Sequence, residues 1–237
     1  MNKRSRILIA FFIIIILVIA IIWFVNQQKS PVIPTAPTAT PTIIDPAENT
    51  LIPLTSFDQG LGTWYEQSWF QKPTTPSGEI TTDTTGVIFT STGTINSRSG
   101  IMLDINKEVT QFSNLTLKAT ITATDQTLPG TGFNGREAPV AISVGYIDEQ
   151  GITHNQLSEN PNGTNNAFWR GFYFIEPSGA STNYNEVRVS EDTPYNFEID
   201  LMSLNPKPKT IIFVALEGAG WRYRRGIANN ISLIGSR

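Results

Sequence analysis

Cysteine is absent from the 237 residues, and histidine occurs once, at His154. The chain therefore has no disulfide framework, no thiolate nucleophile, no Cys-ligated zinc or iron–sulfur cluster, and no two- or three-His metal site of its own. No cofactor is expected. Charge is scarce as well: charged residues are 16% and the net charge is −3, the opposite of the basic footprint that neutralises phosphates, so nucleic acid is excluded as a partner. A Ser-His-Asp arrangement would have to use His154, yet no Gly-x-Ser-x-Gly elbow accompanies it. It falls in the Asn-rich turn region 151–166, where a solvated loop histidine is the expectation, so no catalytic residue is assigned and the protein is expected not to be an enzyme. With neither bridge nor metal, the core must come from ordinary burial, which a chain well beyond ~70 residues can supply.

What the sequence does have begins at its N-terminus. Every residue from Ile7 to Val25 is apolar, a run of 19, close to the ~20 helical residues that cross a hydrocarbon layer. The run is longer than the apolar region of a signal peptide, and its exit, Trp23-Phe24-Val25-Asn26, offers no small-residue cleavage site. An uncleaved single-pass membrane helix is expected. Lys3, Arg4 and Arg6 precede it and only Lys29 follows closely, which places residues 1–6 in the cytoplasm and the rest outside the cell membrane. Residues 26–50 then carry Pro31, Pro34, Pro37, Pro41 and Pro46 interleaved with threonines. Proline at this density removes backbone donors and holds the chain extended, as a spacer does.

The remaining residues, 51–237, read as one extracytoplasmic all-β domain. Leu115 to Thr124 alternates apolar residues with Thr or Lys, and Tyr195 to Leu201 alternates in the same way, the period-2 pattern of strands with one face buried. Val140 to Ile147 and Thr210 to Leu216 are apolar on both faces and read as interior strands covered on each side. Val87–Thr90, Ile101–Ile105, Gly171–Ile175, Glu186–Ser190 and Ile227–Ile234 bring the expectation to about nine strands. Turn clusters such as Asp148-Glu149-Gln150-Gly151 and Asn160-Pro161-Asn162-Gly163 separate them. The expected fold is a two-sheet antiparallel jelly-roll sandwich preceded by the single transmembrane helix.

Two stretches carry a resemblance. Phe57-Asp58-Gln59-Gly60-Leu61-Gly62-Thr63-Trp64 resembles the opening of a galactose-binding-like jelly roll, the fold of many carbohydrate-binding modules, and Gly220-Trp221-Arg222-Tyr223 with Ala228-Asn229-Asn230-Ile231-Ser232-Leu233 is similar to their closing strand. Modules of that group commonly carry Asp where Asn229 stands, sometimes as a ligand of a structural calcium; the change removes a carboxylate. The middle of the chain, from Gly130 to Asp148 and from Phe168 to Tyr173, also resembles extracytoplasmic domains of bacterial surface proteins.

The chemistry that suits this composition is stacking of an aromatic ring on a sugar face, with nearby polar groups bonding the hydroxyls. Two clusters qualify: Trp169, Arg170 and Tyr173 with Phe168, and Trp221, Arg222 and Tyr223 with Arg224 and Arg225. In each, the competing reading is that the aromatics fill the core; for Trp64 core burial is expected. Glu137 and Glu217, at the ends of the two apolar strands, read as strand-end pairs with Arg136 or Arg222. The expected function is a membrane-anchored, non-catalytic binding module for cell-surface or extracellular carbohydrate, its partner a glycan or wall polymer. The alternative is a structural or protein-interaction ectodomain of an envelope complex.

Overall fold

A computed structural model describes residues 49–70, 78–92, 97–130, 137–157, 165–176 and 185–237. The expected membrane helix and nearly all of the Pro/Thr spacer lie outside these, as does the turn 160–163, and no helix among the described residues is long and apolar enough to cross a membrane. The described residues form thirteen strands: β1 Thr50–Thr55, β2 Tyr65–Phe70, β3 Gly78–Asp83, β4 Gly86–Ser91, β5 Ser97–Glu108, β6 Asn114–Gln126, β7 Glu137–Asp148, β8 Thr153–His154, β9 Phe168–Tyr173, β10 Glu186–Arg188, β11 Tyr195–Asp200, β12 Pro208–Gly220 and β13 Arg224–Ser236. All nine expected strands are present, most of them longer than their apolar cores because polar ends continue the pairing. The additions are β1, β2, β3 and the two-residue β8.

These strands make a two-layer sandwich. Sheet I runs β11-β6-β13-β4-β3, with β1 also on β13; sheet II runs β10-β9-β7-β12-β5-β2, with β8 on β7. From β4 to β7 and from β11 to β13 successive strands alternate between the sheets, the winding expected of a jelly roll. One expectation is corrected: the sheets are not wholly antiparallel, since β10 pairs with β9 in parallel, Glu186 opposite Gly171 and Arg188 opposite Tyr173. The segment between β9 and β10 is too long to be a tight hairpin, so β10 returns to run alongside its neighbour.

The core lies between the layers. The odd residues of β6, Leu115, Leu117, Ala119 and Ile121, face Val140, Ile142 and Val144 of β7 and Leu216 of β12 in one buried cluster. Strand β6 shows the alternation its sequence promised, and β7 is buried on both faces. Each fully buried aliphatic side chain contributes about 1.5–3 kcal/mol relative to exposure. Trp64 is buried as expected, edge-on to Phe57 at 5.6 Å between ring centroids. Strand β7 is covered twice because sheet II has residues packed over its outer face too, which is where the site residues lie.

Candidate functional site

Strand β9 lies between β7 and β10. Its register sets Phe168, Arg170 and Phe172 opposite Val144, Ile142 and Val140, which sends them toward the core, and turns Trp169, Gly171 and Tyr173 to the outer face. Trp169 is only 3% exposed and packs on Ala138 and Ala141. Its indole lies across Gly171, where an added Cβ would stand 2.3 Å from Cη2; the strand needs glycine there because the ring occupies the space. The indole N–H donates to Glu217 Oε1 at 3.2 Å. The same buried carboxylate accepts from Arg98 Nε at 2.9 Å and from Arg98 Nη2, and the Ser143 hydroxyl lies 3.3 Å away. Arg98 Nη1 donates to the carbonyl of Leu157. This is a saturated network: a buried carboxylate takes a forked guanidinium, an indole and a hydroxyl, which is how a buried charge is tolerated.

Both strand-end acids are tied into the fold, and Arg136, the partner expected for Glu137, lies outside the described residues. Glu217 is held by Arg98, 119 residues away, rather than by Arg222. Glu137 accepts from the backbone N–H groups of Thr127 and Leu128 at 2.7 and 2.8 Å and from the Thr127 hydroxyl at 3.1 Å. Between these acids sits Arg224, almost wholly buried, whose Nη2 donates to the Gly218 carbonyl at 3.0 Å. Burial lowers its pKa to about 10, with Glu137 and Glu217 acting against that shift.

His154 is a correction of a different kind. It is 7% exposed, not a solvated loop side chain. Its Nε2 lies 2.9 Å from Asp148 Oδ2, and its ring stacks on Tyr146 at 4.6 Å and 16°. Asp148 Oδ1 accepts from the N–H groups of Gln150 and Ile152, closing the turn that sets β8 against β7. Burial pushes the Asp148 carboxyl up, but the His154 ring and the two backbone donors outweigh it and hold the pKa below the usual carboxylate range. The only imidazole is committed to a fold-back of the chain, which continues through Gln156 and Leu157. Leu157 packs on the buried cluster of Met102, Ala167, Phe213 and Ala215, roofing this part of the outer face.

The other expected cluster is at the β12–β13 turn. Trp221 is half-buried, its Nε1 shielded and without a hydrogen bond among the described residues; Arg222 is exposed and Tyr223 is 40% exposed. No hydrogen bond, ion pair or ring contact among the described residues joins Trp221, Arg222 or Tyr223 to Trp169, Arg170 or Tyr173. Tyr173 is partly buried and its ring lies against Gly130. Asn229 spends its amide within the fold, donating to the Thr85 carbonyl at 2.9 Å and accepting from Asn230 N–H at 2.7 Å. Among the described residues no group of three or more His, Asp or Glu side chains is placed to hold a metal ion.

An open site occurs where sequence reading placed none. Strand β2 pairs β5 only from Ser97 to Met102, while β5 continues to Glu108. Beyond the end of β2 a groove of about 620 Å³ is lined by Thr50, Leu51, Thr63, Tyr65, Asp104 and Lys107, among others. Tyr65 is 38% exposed and its hydroxyl donates to Asp104 Oδ1 at 3.1 Å. Partial burial and the adjacent carboxylate push the phenol pKa up, so it stays a donor. An exposed ring, a carboxylate with acceptor sites to spare, two threonines and an ammonium share one open cleft. A lone Tyr and an Asp 39 residues away give no local signal; only the β2–β5 register unites them.

No protein-family model matches the chain, and no curated protein matches it. Among solved structures it is similar to the family 11 carbohydrate-binding module of a cellulosomal cellulase of Clostridium thermocellum, at 13% identity and TM-score 0.41, over 78% of this chain and 95% of that one. It is similar to the CBM22-1 xylan-binding domain from Paenibacillus barcinonensis at 10% identity and TM-score 0.37, over 79% of this chain and 94% of that one. A third, the enzymatically active domain of a tailspike protein of bacteriophage CBA120, is similar at 9% identity and TM-score 0.47, over 81% of this chain and 22% of that one. The similarity is one of architecture, and it assigns no side chain a role.

Proposed function

We propose that this protein is a carbohydrate-binding module, non-catalytic, displayed outside the cell on one membrane-spanning helix and a Pro/Thr spacer. The observation that carries the binding reading is the groove at the β2–β5 edge. A sugar ring presents an apolar C–H face and a polar hydroxyl rim; Tyr65 supplies a flat exposed surface for the first, and Asp104, Thr50, Thr63 and Lys107 supply acceptors and donors for the second. Tyr65 is fixed by its bond to Asp104, so little side-chain freedom is lost when a ligand arrives. The groups weighed for catalysis in the sequence, His154, Glu137 and Glu217, are each bound to structural partners, which supports the non-catalytic reading. Display outside the membrane is supported by the 19-residue apolar run and the Lys/Arg bias before it.

The experiment is a glycan array probed with the full-length chain in mild detergent, alongside its Tyr65→Ala and Asp104→Ala forms. Binding to at least one neutral glycan, lost in both variants, is expected; a blank array, or binding that both variants retain, rejects the groove. Protease added to intact cells is expected to remove the sandwich domain, and its survival would reject the topology. The alternative of a protein-interaction ectodomain draws on one observation, the burial of Trp169 in a saturated network, which is what a purely structural use of that aromatic requires.

A further inference from the structure

The β12–β13 turn is exposed, yet its backbone is tied to the interior. Gly220 ends β12 at φ 139°, a conformation that residues with side chains rarely adopt. The carbonyls of Gly218, Gly220 and Arg222 converge on the Arg224 guanidinium, accepting from Nη2 at 3.0 Å and from Nη1 at 3.4 and 3.5 Å. The Tyr223 carbonyl accepts from the Thr127 hydroxyl at 3.1 Å, a hydroxyl shared with the buried Glu137. A connecting turn at a protein surface is usually mobile. This one is fastened through a cation that is 1% exposed, a group that is costly to bury.

What the fastened turn offers to solvent is Arg222 and Tyr223. Trp221 keeps its indole N–H shielded. Arg225, the next cation along β13, is committed to sheet I: its Nη1 donates to Thr124 Oγ1 at 3.3 Å, and it stands opposite Asp125. Arg222 is exposed, and its side chain makes no hydrogen bond or ion pair among the described residues; the Tyr223 ring is 40% exposed. The carboxylates that flank Arg224, Glu137 and Glu217, are buried and hydrogen-bonded within the fold, so they offer Arg222 no counter-charge at the surface. Arg222 and Tyr223 are consecutive, their Cα atoms ~3.8 Å apart, so one ligand resting on the turn reaches both. The turn begins seven residues along β12 from Phe213, the partner of Asp104, which sets it roughly 24 Å from the Tyr65 groove at ~3.4 Å per residue.

We propose that this turn is a second contact site, for an acidic glycan: Arg222 pairs with an oxyanion on the sugar, carboxylate or phosphodiester, and the Tyr223 ring carries the sugar face. The guanidinium fork matches either oxyanion in geometry, and an exposed phenol ring suits the apolar face of a sugar. Arg224 and Thr127 are positioning residues. With its carbonyls already fixed, the turn loses little freedom when a ligand arrives. The site takes from the carbohydrate reading only the class of ligand and shares no residue with the Tyr65 groove.

The test is calorimetric titration of the full-length chain in mild detergent with trigalacturonic acid, its trimethyl ester, a hexose phosphodiester oligomer and an Asp/Glu hexapeptide. At least one of the two acidic glycans is expected to bind roughly ten-fold more tightly than the ester, the scale of one charge-assisted hydrogen bond; the tighter of the two assigns the oxyanion. Arg222→Gln is expected to melt with the parent and to lose that preference. Tyr223→Ala is expected to weaken acidic glycan and ester together. Thr127→Val, which releases the Tyr223 carbonyl, is expected to weaken the acidic glycan several-fold, and Thr127→Ser, which keeps the hydroxyl, to bind like the parent. Equal affinity for the ester and both acidic glycans, an Arg222→Gln form that keeps the preference, a Thr127→Val form that binds like the parent, or a hexapeptide bound as tightly as the glycans overturns the proposal. The titrations are repeated with the Tyr65→Ala chain, where the preference for acidic glycan is expected to persist; its loss there would reject a separate site. Neutral-glycan binding that depends on Tyr65 is read on the array, so either site can fail alone.

Discussion

Trp169 and Tyr65 lie on the same sheet, four strands apart, and both have a carboxylate within hydrogen-bonding distance, yet they do opposite things. Glu217 beneath Trp169 already holds Arg98, the indole and Ser143, and Leu157 roofs the neighbouring cluster. Asp104 beside Tyr65 holds one phenol and faces an open groove. The difference is one of saturation. A polar cluster whose donors and acceptors are consumed internally fixes the fold; one with capacity left over, next to an exposed ring, can receive a ligand. Residue type does not separate the two, because an aromatic with an acid occurs in both.

The largest effects should come from breaking the saturated side. Trp169→Ala is expected to cost ~3–5 kcal/mol of unfolding free energy, the range for deleting a buried large aromatic. Glu217→Leu alone should cost a similar amount, roughly 3–5 kcal/mol, because it strands the Arg98 charge in the interior, whereas Arg98→Met combined with Glu217→Leu should recover most of the loss. Urea denaturation of the four proteins checks this; a double variant no more stable than Glu217→Leu would mean that the pair does more than neutralise itself.

Next in size is the acid limb of stability. The folded pKa of Asp148 lies below its unfolded value of ~3.9. The stability it contributes is therefore fully present above that unfolded value and lost as pH falls through the lower folded pKa. Urea midpoints measured from pH 6 down to 2.5 should fall, and Asp148→Asn should lower the midpoint at pH 6 while flattening the decline. An unchanged slope would remove Asp148 from the account. The smallest effect on stability belongs to the open side: Tyr65→Ala should shift unfolding by no more than about 0.5 kcal/mol, as for surface substitutions generally, while abolishing the binding sought on the array.

Sequence reached the middle of this molecule better than its margins. Strand β6 alternates because it has one buried and one wet face, and the middles of β7 and β12 are mostly apolar because both their faces are covered; burial wrote those patterns. Strands β1 and β3 bury little. The sequences of β1 and β3, TLIPLT and GEITTD, carry a proline or a single aliphatic residue, and with β2 they are strands because a neighbour's edge offers hydrogen bonds. Periodicity carries no trace of such pairing. The same holds for the sites. The β9 aromatics were legible as a cluster, but whether Trp169 faced ligand or scaffold depended on Arg98 and Glu217, 119 residues apart. The burial of His154 depended on Asp148, six residues earlier but across a turn. Arg170 was visible as a basic residue among aromatics; the shielding of its Nε by the fold has no sequence signature.

Hydroxyl-radical footprinting of the full-length chain, with and without a glycan selected on the array, tests the contrast between the two aromatics most directly. Tyr65 should be oxidised in the free protein and protected when the glycan is bound, while Trp169 stays unoxidised in both states. Protection that leaves Tyr65 unchanged, or a Trp169 that labels freely and is shielded only by ligand, would contradict it.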